Sequence, residues 1–586
     1  MTAPVRVPRP PILDRIDPTR HVVLEASAGT GKTYTLEHLV AELVIAHRIP
    51  LEQILVVTFT DKATREMRER VRATLRRVLE GTEVAAPDAP AWVVDDEVRE
   101  RVRDALAVFD RAPISTIHAF CQRVLTENAF DCARLLRQEQ VESRDVFGRA
   151  FREELRVAFV EDEPLRPVLE LAVSTWGVDR LEEVLYRWYA ERGPPQPPFD
   201  RERARDALAA MPTRRDLGPA GMVARLLDDG LKRQPKKTVP ERLRALAPIV
   251  DRVKDGAPIF EALLDYWRWA EEPATRSLSS ARYVRKYLAG AGSPRLAPLA
   301  RRMETLALAA GTPIGVLVGE LVPRIVRRLA GRKSERGHFD FDDMLQMLAD
   351  ALAAPGSEAL IGELRRRYRV ALVDEFQDTD RVQWDIFRSL FFDHDGDWRL
   401  VVIGDPKQAI YGFRNADVHT YVAARDALLG AGGVRVPLDV SYRSTPAFLD
   451  ALNLVIGERF FTGLNEYPDP VRCGRPELRL LDASGADAPP ISVVHLVGRP
   501  SLRAAWVARA LAEHVASEIG AILEGSLRVD RGDGEAKEIT PSDVHVLCRS
   551  RADAESVGRA LAAARIPHAF YKQEGLFATP AARHVW

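Results

Sequence analysis

Cysteine is scarce. The 586-residue chain holds four, Cys121, Cys132, Cys473 and Cys548, and no two stand in C-x-x-C spacing. That leaves no legible zinc or iron–sulfur framework, and it fits a reduced, intracellular compartment. Long apolar runs are missing too: nowhere do ~18 apolar residues follow one another. The opening MTAPVRVPRPPILDR has no apolar signal core, so a cytoplasmic protein with no membrane segment is expected. Nor does one sign of charge prevail, with 84 Lys and Arg against 85 Asp and Glu, a net charge of −1. A neutral total decides nothing about nucleic acid, because a charged groove can hide inside it. No internal repeat of fixed period is present.

What is present begins with residues 22–36, VVLEASAGTGKTYTL: an apolar run, then small residues, then Gly-Lys-Thr opening a helical pattern. That order is what a triphosphate site needs. A strand is predicted to end at Ala26, and Ser27, Ala28, Gly29, Thr30 and Gly31 let backbone N–H groups turn inward around phosphate oxygens. The helix that follows adds the positive end of its dipole. Lys32 can reach the β- and γ-phosphates, the Thr33 hydroxyl can sit on Mg2+, and Tyr34 closes the nucleotide-binding stretch. Position 26 departs from the usual pattern, with Ala in place of Gly. A glycine-rich turn before a helix would give similar letters, but strand–loop–helix context favours a nucleoside triphosphate.

A chain of this length should hold about three or four domains of ~150 residues. Strand–helix alternation opens it, with QILVVTF at 53–59 followed by the helical pattern DKATREMRERVRATLRRVLE. Such alternation implies a parallel sheet covered by helices. From about 125 to 335 the sequence turns Arg-, Leu- and Ala-rich with helical periodicity, and no comparable strand signal interrupts it. Alternation resumes with YRVALVDEFQD (368–378) and WRLVVIGDPKQAIYGF (398–413). A second α/β segment is predicted from VRVPLDVSYRS (434–444) and includes PSDVHVLCRSRADA (541–554). The expected division is 1–124 and 336–433 for one α/β lobe, 125–335 for a helical insertion, and 434–586 for part of a second lobe. Residues 552–566 read as a helix, 567–571 as a strand, and PAARHVW as a helix that stops uncapped at Trp586, so the chain looks cut inside a domain.

Val-Ala-Leu-Val-Asp-Glu at 370–375 sets two carboxylates just past a buried strand. Alone this is an ordinary strand exit. Downstream of a phosphate loop, Asp374 fits a Mg2+ carboxylate and Glu375 the group that orients the attacking water.

These phrases, with TFTDKAT (58–64), STIHAFC (115–121), IGDPKQAIYGFRNAD (403–417) and LDVSYRS (438–444), resemble the superfamily 1 helicases of the UvrD/Rep type. EASAGTGKT, STIHAFCQRVL and IGDPKQAIYGFR resemble the RecB group, the helicase–nuclease subunits of RecBCD complexes. The likeness runs in order through residues 22–444 and is weaker over 541–586. It implies a P-loop α/β fold of RecA-like parallel-sheet lobes, one complete and one partial, with a large inserted helical domain.

The resemblance also implies roles. Gln408 would sense the γ-phosphate. Tyr442 would stack on adenine, and Arg443 would reach the γ-phosphate across the cleft, with Asp405 organising that cleft. Phe59, Tyr411 and Phe413 would stack on single-strand bases, although aromatics in apolar stretches are more often core. Thr58, Thr60, Thr116, His118 and Arg414 would grip the DNA strand, and such phosphate contacts carry no sequence information. ATP and Mg2+ are the implied cofactors; single-stranded and duplex-end DNA and RecC-like and RecD-like subunits are the implied partners. The family's adenine-reading glutamine has no counterpart in ILDRIDPTRHVVLE. In HFDFDDML, Asp342 and Asp343 read as capping or structural residues, and the basic runs at 324–336 and 365–367 as solvated faces. The implied activity is an ATP-dependent 3′–5′ DNA helicase; a nucleotide- and DNA-binding assembly module without motor activity is the alternative.

Overall fold

The computed structural model describes residues 4–129, 139–190, 199–218, 221, 235–271, 297–393, 396–412, 416–456, 470–497, 504–533 and 535–570. Six short aliphatic runs form one parallel sheet: β1 (Val22–Ala26), β2 (Ile54–Thr58), β3 (Ile114–Thr116), β4 (Val370–Val373), β5 (Arg399–Gly404) and β6 (Val434–Leu438). Their order is β6-β1-β5-β4-β2-β3. Alternate residues enter two cores. Val22, Leu24, Ile54, Val56 and Leu372 pack on one face, and Val23, Leu55, Val57, Ala371 and Val402 on the other. A sheet covered on both faces needs apolar residues at successive positions, which is why these strands read as unbroken runs.

Helix α1 (Lys32–Ile45) belongs to the first core and is buried from Thr35 to Ile45. It is followed in the chain by the strongly amphipathic α2 (Asp61–Glu80). Helices α3 (Ile117–Glu127) and α4 (Phe341–Ala353) cover the opposite face.

Between them lies a helical body with its own core, from Val146 to Leu329. Glu139–Gln140 and His338–Phe339 pair in parallel, so the chain leaves and re-enters the lobe side by side. An insertion needs such neighbouring ends. Because Val124 and Leu125 belong to the sheet's core, the helical body starts after α3, later than the expected 125.

The basic run at 324–336 is not simply a solvated face. Arg324 pairs with Asp162 and Glu320, Arg328 with Glu154, Arg332 with Glu153, and Lys333 with Asp340 and Asp343. Of the second run, Arg365 donates to the Ser389 and Leu390 carbonyls, and Arg367 pairs with Glu127. Asp343 completes a capping box with Asp340 at the start of α4.

The second α/β segment departs from expectation at three points. Val434–Leu438 pairs with β1, Val434 opposite Val22 and Leu438 opposite Ala26, so the lobe boundary falls after Leu438. The stretch 541–554, counted in that α/β segment, holds no strand: Pro541–Asp543 is a 3-10 turn, 544–548 is irregular, and a helix spans Arg551–Ala563. Residues 567–570 form no strand either; Tyr571 and PAARHVW lie outside the described residues. Among the described residues this segment has a three-stranded antiparallel sheet (Arg479–Asp482, Leu527–Asp530, Lys537–Glu538) and a small core of Ala516, Ile519 and Leu561. No single helix among the described residues is long and apolar enough to cross a membrane.

Candidate nucleotide and nucleic-acid site

Parallel strands send their carboxyl ends to one edge, and ligands of open α/β sheets bind there. The register aligns Glu25 of β1 with Gly404 of β5, and Val373 of β4 with Val402. Three loops therefore leave side by side: 27–31 after β1, 374–378 after β4 and 405–408 after β5.

The first loop is closed by Thr30, whose backbone N–H and hydroxyl both donate to the Ser27 carbonyl, at 3.3 and 2.7 Å. Gly29 and Gly31 have φ of +76° and +86°, a region L side chains rarely adopt. Lys32 and Thr33 open α1, where the first amides have no partner within the helix. Ala26, at the departure from the usual pattern, is the buried last residue of β1 and pairs with Leu438.

The Lys32 ammonium donates to both oxygens of Glu375 at 2.8 Å. Glu375 sits at φ +50°, an unfavourable conformation for a side chain with a Cβ, and this pair helps hold it there. Asp374 is the first residue past β4, and its carboxylate accepts the Glu375 amide at 2.9 Å. Burial and the neighbouring Glu375 charge push its carboxyl up to about 6. Asp378 is raised to about 6 by the same two causes. Among the described residues no cluster of three His, Cys, Asp or Glu could hold a metal. Thr33 and Asp374 carry a hydroxyl and a carboxylate, hard oxygen donors of the kind Mg2+ would take.

Gln408 turns toward the buried Asp405, donating to its carboxylate at 2.7 Å, and Lys407 pairs with the same group at 2.9 Å. Gln377 joins the two loops: its amide N donates to Glu375 at 2.7 Å and its oxygen accepts the Asp405 amide at 3.0 Å. VDEFQD contains this glutamine, yet nothing in the sequence marks it as the link, since its role depends on β4 and β5 being neighbours.

The start of the second segment closes over the phosphate loop. The Tyr442 amide donates to the Gly29 carbonyl at 2.9 Å and the Ser441 hydroxyl to the Ala28 carbonyl at 3.3 Å. A Cβ on Gly29 would stand 2.6 Å from the Arg443 Cβ, so the missing side chain makes this approach possible. Arg443 is not paired with Asp439, which accepts instead from Arg472. Tyr442 is 52 % exposed, and its ring is backed by Gly474, where a Cβ would lie 2.5 Å from the ring. Tyr34, also exposed, packs on His38 with centroids 4.1 Å apart.

Along the same edge, Phe59 follows β2 and its ring lies 4.9 Å from that of Tyr411, at a 38° tilt. Thr60 and Thr116 are N-caps, accepting from Ala63 and Ala119. His118 is partly buried, which lowers its pKa, and Phe341 meets its ring edge-on at 5.2 Å. Thr58 does not stand with them. It is 1 % exposed and its hydroxyl bonds that of Thr64 at 2.6 Å, so it shapes the loop from beneath and cannot touch a strand on the surface. Phe413 and Arg414 lie outside the described residues.

The UvrD/REP helicase N-terminal domain model matches residues 14–173 and 306–428. Three relatives share the name RecBCD enzyme subunit RecB. The protein of Escherichia coli K12 is 29% identical over 98% of this chain and 50% of its own length. That of Mycolicibacterium smegmatis is 28% identical over 96% and 41%, and that of Chlamydia trachomatis 28% over 73% and 42%. The chain thus spans about half or less of the length of these curated relatives.

Proposed function

Because this chain belongs to the UvrD/REP helicases, with RecB proteins as relatives along nearly its whole length, we propose that it is the ATP-driven motor segment of a RecB-like helicase–nuclease. It moves 3′ to 5′ along one DNA strand from double-strand ends, in the cytoplasm, in repair and recombination. RecC-like and RecD-like subunits are its partners.

The observation that carries this reading is the convergence of Lys32, Glu375, Gln408 and the Ser441–Arg443 segment at one sheet edge that also bears the Phe59–Tyr411 pair. Lys32 holds the β- and γ-phosphates together with the loop amides of Ser27 to Gly31. An incoming phosphate takes over Lys32, which frees Glu375 to orient the attacking water. Thr33 and Asp374 would hold Mg2+, which would supply charge to neutralise the phosphate oxygens. Gln408 reads the γ-phosphate, Tyr442 offers its open face to the adenine, and Arg443 stabilises the transition state when the cleft shuts. Bases stack on Phe59, Tyr411 and Phe413, while Thr60, Thr116, His118 and Arg414 hold the strand. Thr58 supports the loop beneath them.

A second reading, a nucleotide- and DNA-binding assembly module without motor activity, is favoured by the meagre sheet that the second segment has among the described residues. ATP hydrolysis with and without oligo-dT separates the two. Stimulation by the single strand is expected, and Lys32→Ala should lower turnover by about 100-fold or more while the chain stays folded, as expected when a group acting on transition-state charge is removed. Turnover indifferent to DNA favours the module; normal turnover in Lys32→Ala overturns the site assignment.

A further inference from the structure

Two loops on the sheet edge face different ligands in the proposed motor: 374–378 faces the nucleotide, and 405–411 ends in a DNA-stacking aromatic. They are joined through one buried side chain. Gln377, 2 % exposed, donates from Nε2 to Glu375 Oε2 at 2.7 Å and accepts the Asp405 N–H at Oε1 at 3.0 Å. A backbone N–H can only donate, so the oxygen must face Asp405 and the NH2 must face the carboxylate. The planar amide therefore fixes both ends at once.

The chain of contacts extends in both directions. On the nucleotide side, Glu375 holds Lys32 at 2.8 Å. On the other side, the Asp405 carboxylate accepts from Gln408 at 2.7 Å, and three residues later Tyr411 packs on Phe59. A second tie, from the Asp417 amide to the Thr379 carbonyl at 3.4 Å, brackets the loop that carries Tyr411. Room for the glutamine comes from Gly404, where a Cβ would lie 2.8 Å from Gln377 Oε1 and 3.0 Å from the Tyr421 ring. Nε2 also reaches Asp378 Oδ2 at 3.4 Å, so the buried amide of Gln377 is bonded at both ends, and a buried polar group bonded at both ends has few alternative arrangements, which suits it to passing on a displacement.

We propose that Gln377 is the positioning residue through which DNA on the Tyr411 loop sets the orientation of Glu375, and so the rate of hydrolysis. This rests on the motor reading above and names the internal route of its coupling. Bases that engage Tyr411 move the 405–411 loop. The Asp405 amide carries Gln377 with it, and the Nε2 end draws Glu375 off Lys32 toward the water site.

The test uses the full chain with ATP and oligo-dT. Gln377→Met keeps the volume and removes all three side-chain hydrogen bonds, those to Glu375 and Asp378 and the one from the Asp405 amide; Gln377→Glu keeps the acceptor for Asp405, removes the donors to Glu375 and Asp378, and sets a carboxyl beside theirs. In each variant the ratio of DNA-stimulated to DNA-free kcat should fall at least tenfold toward one. The Kd for oligo-dT and the KM for ATP should stay within about threefold of wild type, a split that general misfolding would not give. If one variant does not fold, the other carries the test. Wild-type stimulation in a folded variant overturns the role of Gln377 and leaves the motor reading intact. A wild-type chain that oligo-dT does not stimulate overturns both.

Discussion

The two α/β regions are written in the same idiom, short aliphatic runs between amphipathic helices, yet they end differently. In the first, β4 is buried along its length and Leu372 has no exposed surface. In the second, the apolar runs at 491–497 and 544–548, interrupted by Ser492, His495 and His545, form no strand, and Leu547 is 96 % and Val493 88 % exposed. An aliphatic run becomes a stable parallel strand only when strands from distant parts of the chain lie on either side of it and helices cover both faces. β4 has β2 and β5 as neighbours, supplied from about 315 residues earlier and 30 residues later in the chain. Among the described residues the 544–548 run has no such neighbours. Strand propensity is thus an offer that the rest of the fold accepts or leaves.

The largest expected effect breaks the comparison directly. Leu372→Ala should lower stability by about 2–5 kcal/mol, the range for emptying a packed aliphatic site. Leu547→Ala should stay within about 0.5 kcal/mol, as for exposed positions. Urea denaturation of both variants measures the difference. Equal losses would show that Leu547 is packed in solution and that the second segment is as well built as the first.

What the sequence disclosed follows the same division. The phosphate loop, the acidic strand exit and the alternation of the first lobe are local patterns, and local patterns survive in the letters. Lys32 and Glu375 are each legible singly, from the loop that carries them, but the ion pair between them is not. Nor is the role of Gln377, since its partners lie in loops that become neighbours only through the order β5-β4. Thr58 misleads for a related reason: a hydroxyl at a strand end reads as a contact, whereas its inward turn toward Thr64 depends on α2 beginning at Asp61. The boundary at Leu438 is hidden because β6 looks like the first strand of a new lobe until β1 is seen to need an outer neighbour.

The seam between the two regions gives a smaller effect. Gly29 has φ +76°, and a Cβ there would meet the Arg443 Cβ at 2.6 Å. Gly29→Ala places an L side chain in the left-handed region, which costs about 1–2 kcal/mol before the contact is counted. It should therefore push the Ser441–Arg443 segment off the loop and weaken ATP binding by about tenfold, one factor of ten being about 1.4 kcal/mol. Titration with a fluorescent ATP analogue reads this. Wild-type affinity would mean that the second segment does not sit on the phosphate loop when nucleotide binds.

The smallest effect asks which region grips DNA before nucleotide arrives. Phe59, Thr60, Thr116, His118 and Tyr411 all hang from the carboxyl edge of the first sheet, which has a packed core on each face. The proposed grip should then belong to the first lobe alone. Phe59 is only partly exposed and shares its ring surface with Tyr411, so its contribution lies at the low end of the range for base stacking, about 1 kcal/mol. Phe59→Ala should weaken oligo-dT binding about fivefold in the absence of ATP, measured by fluorescence anisotropy. Thr58→Val, which alters a hydroxyl buried against Thr64, should leave that affinity within twofold, and so should Leu547→Ala. If Leu547→Ala weakens binding more than Phe59→Ala does, the strand rests on the exposed runs of the second segment, and the division of labour between the regions is reversed.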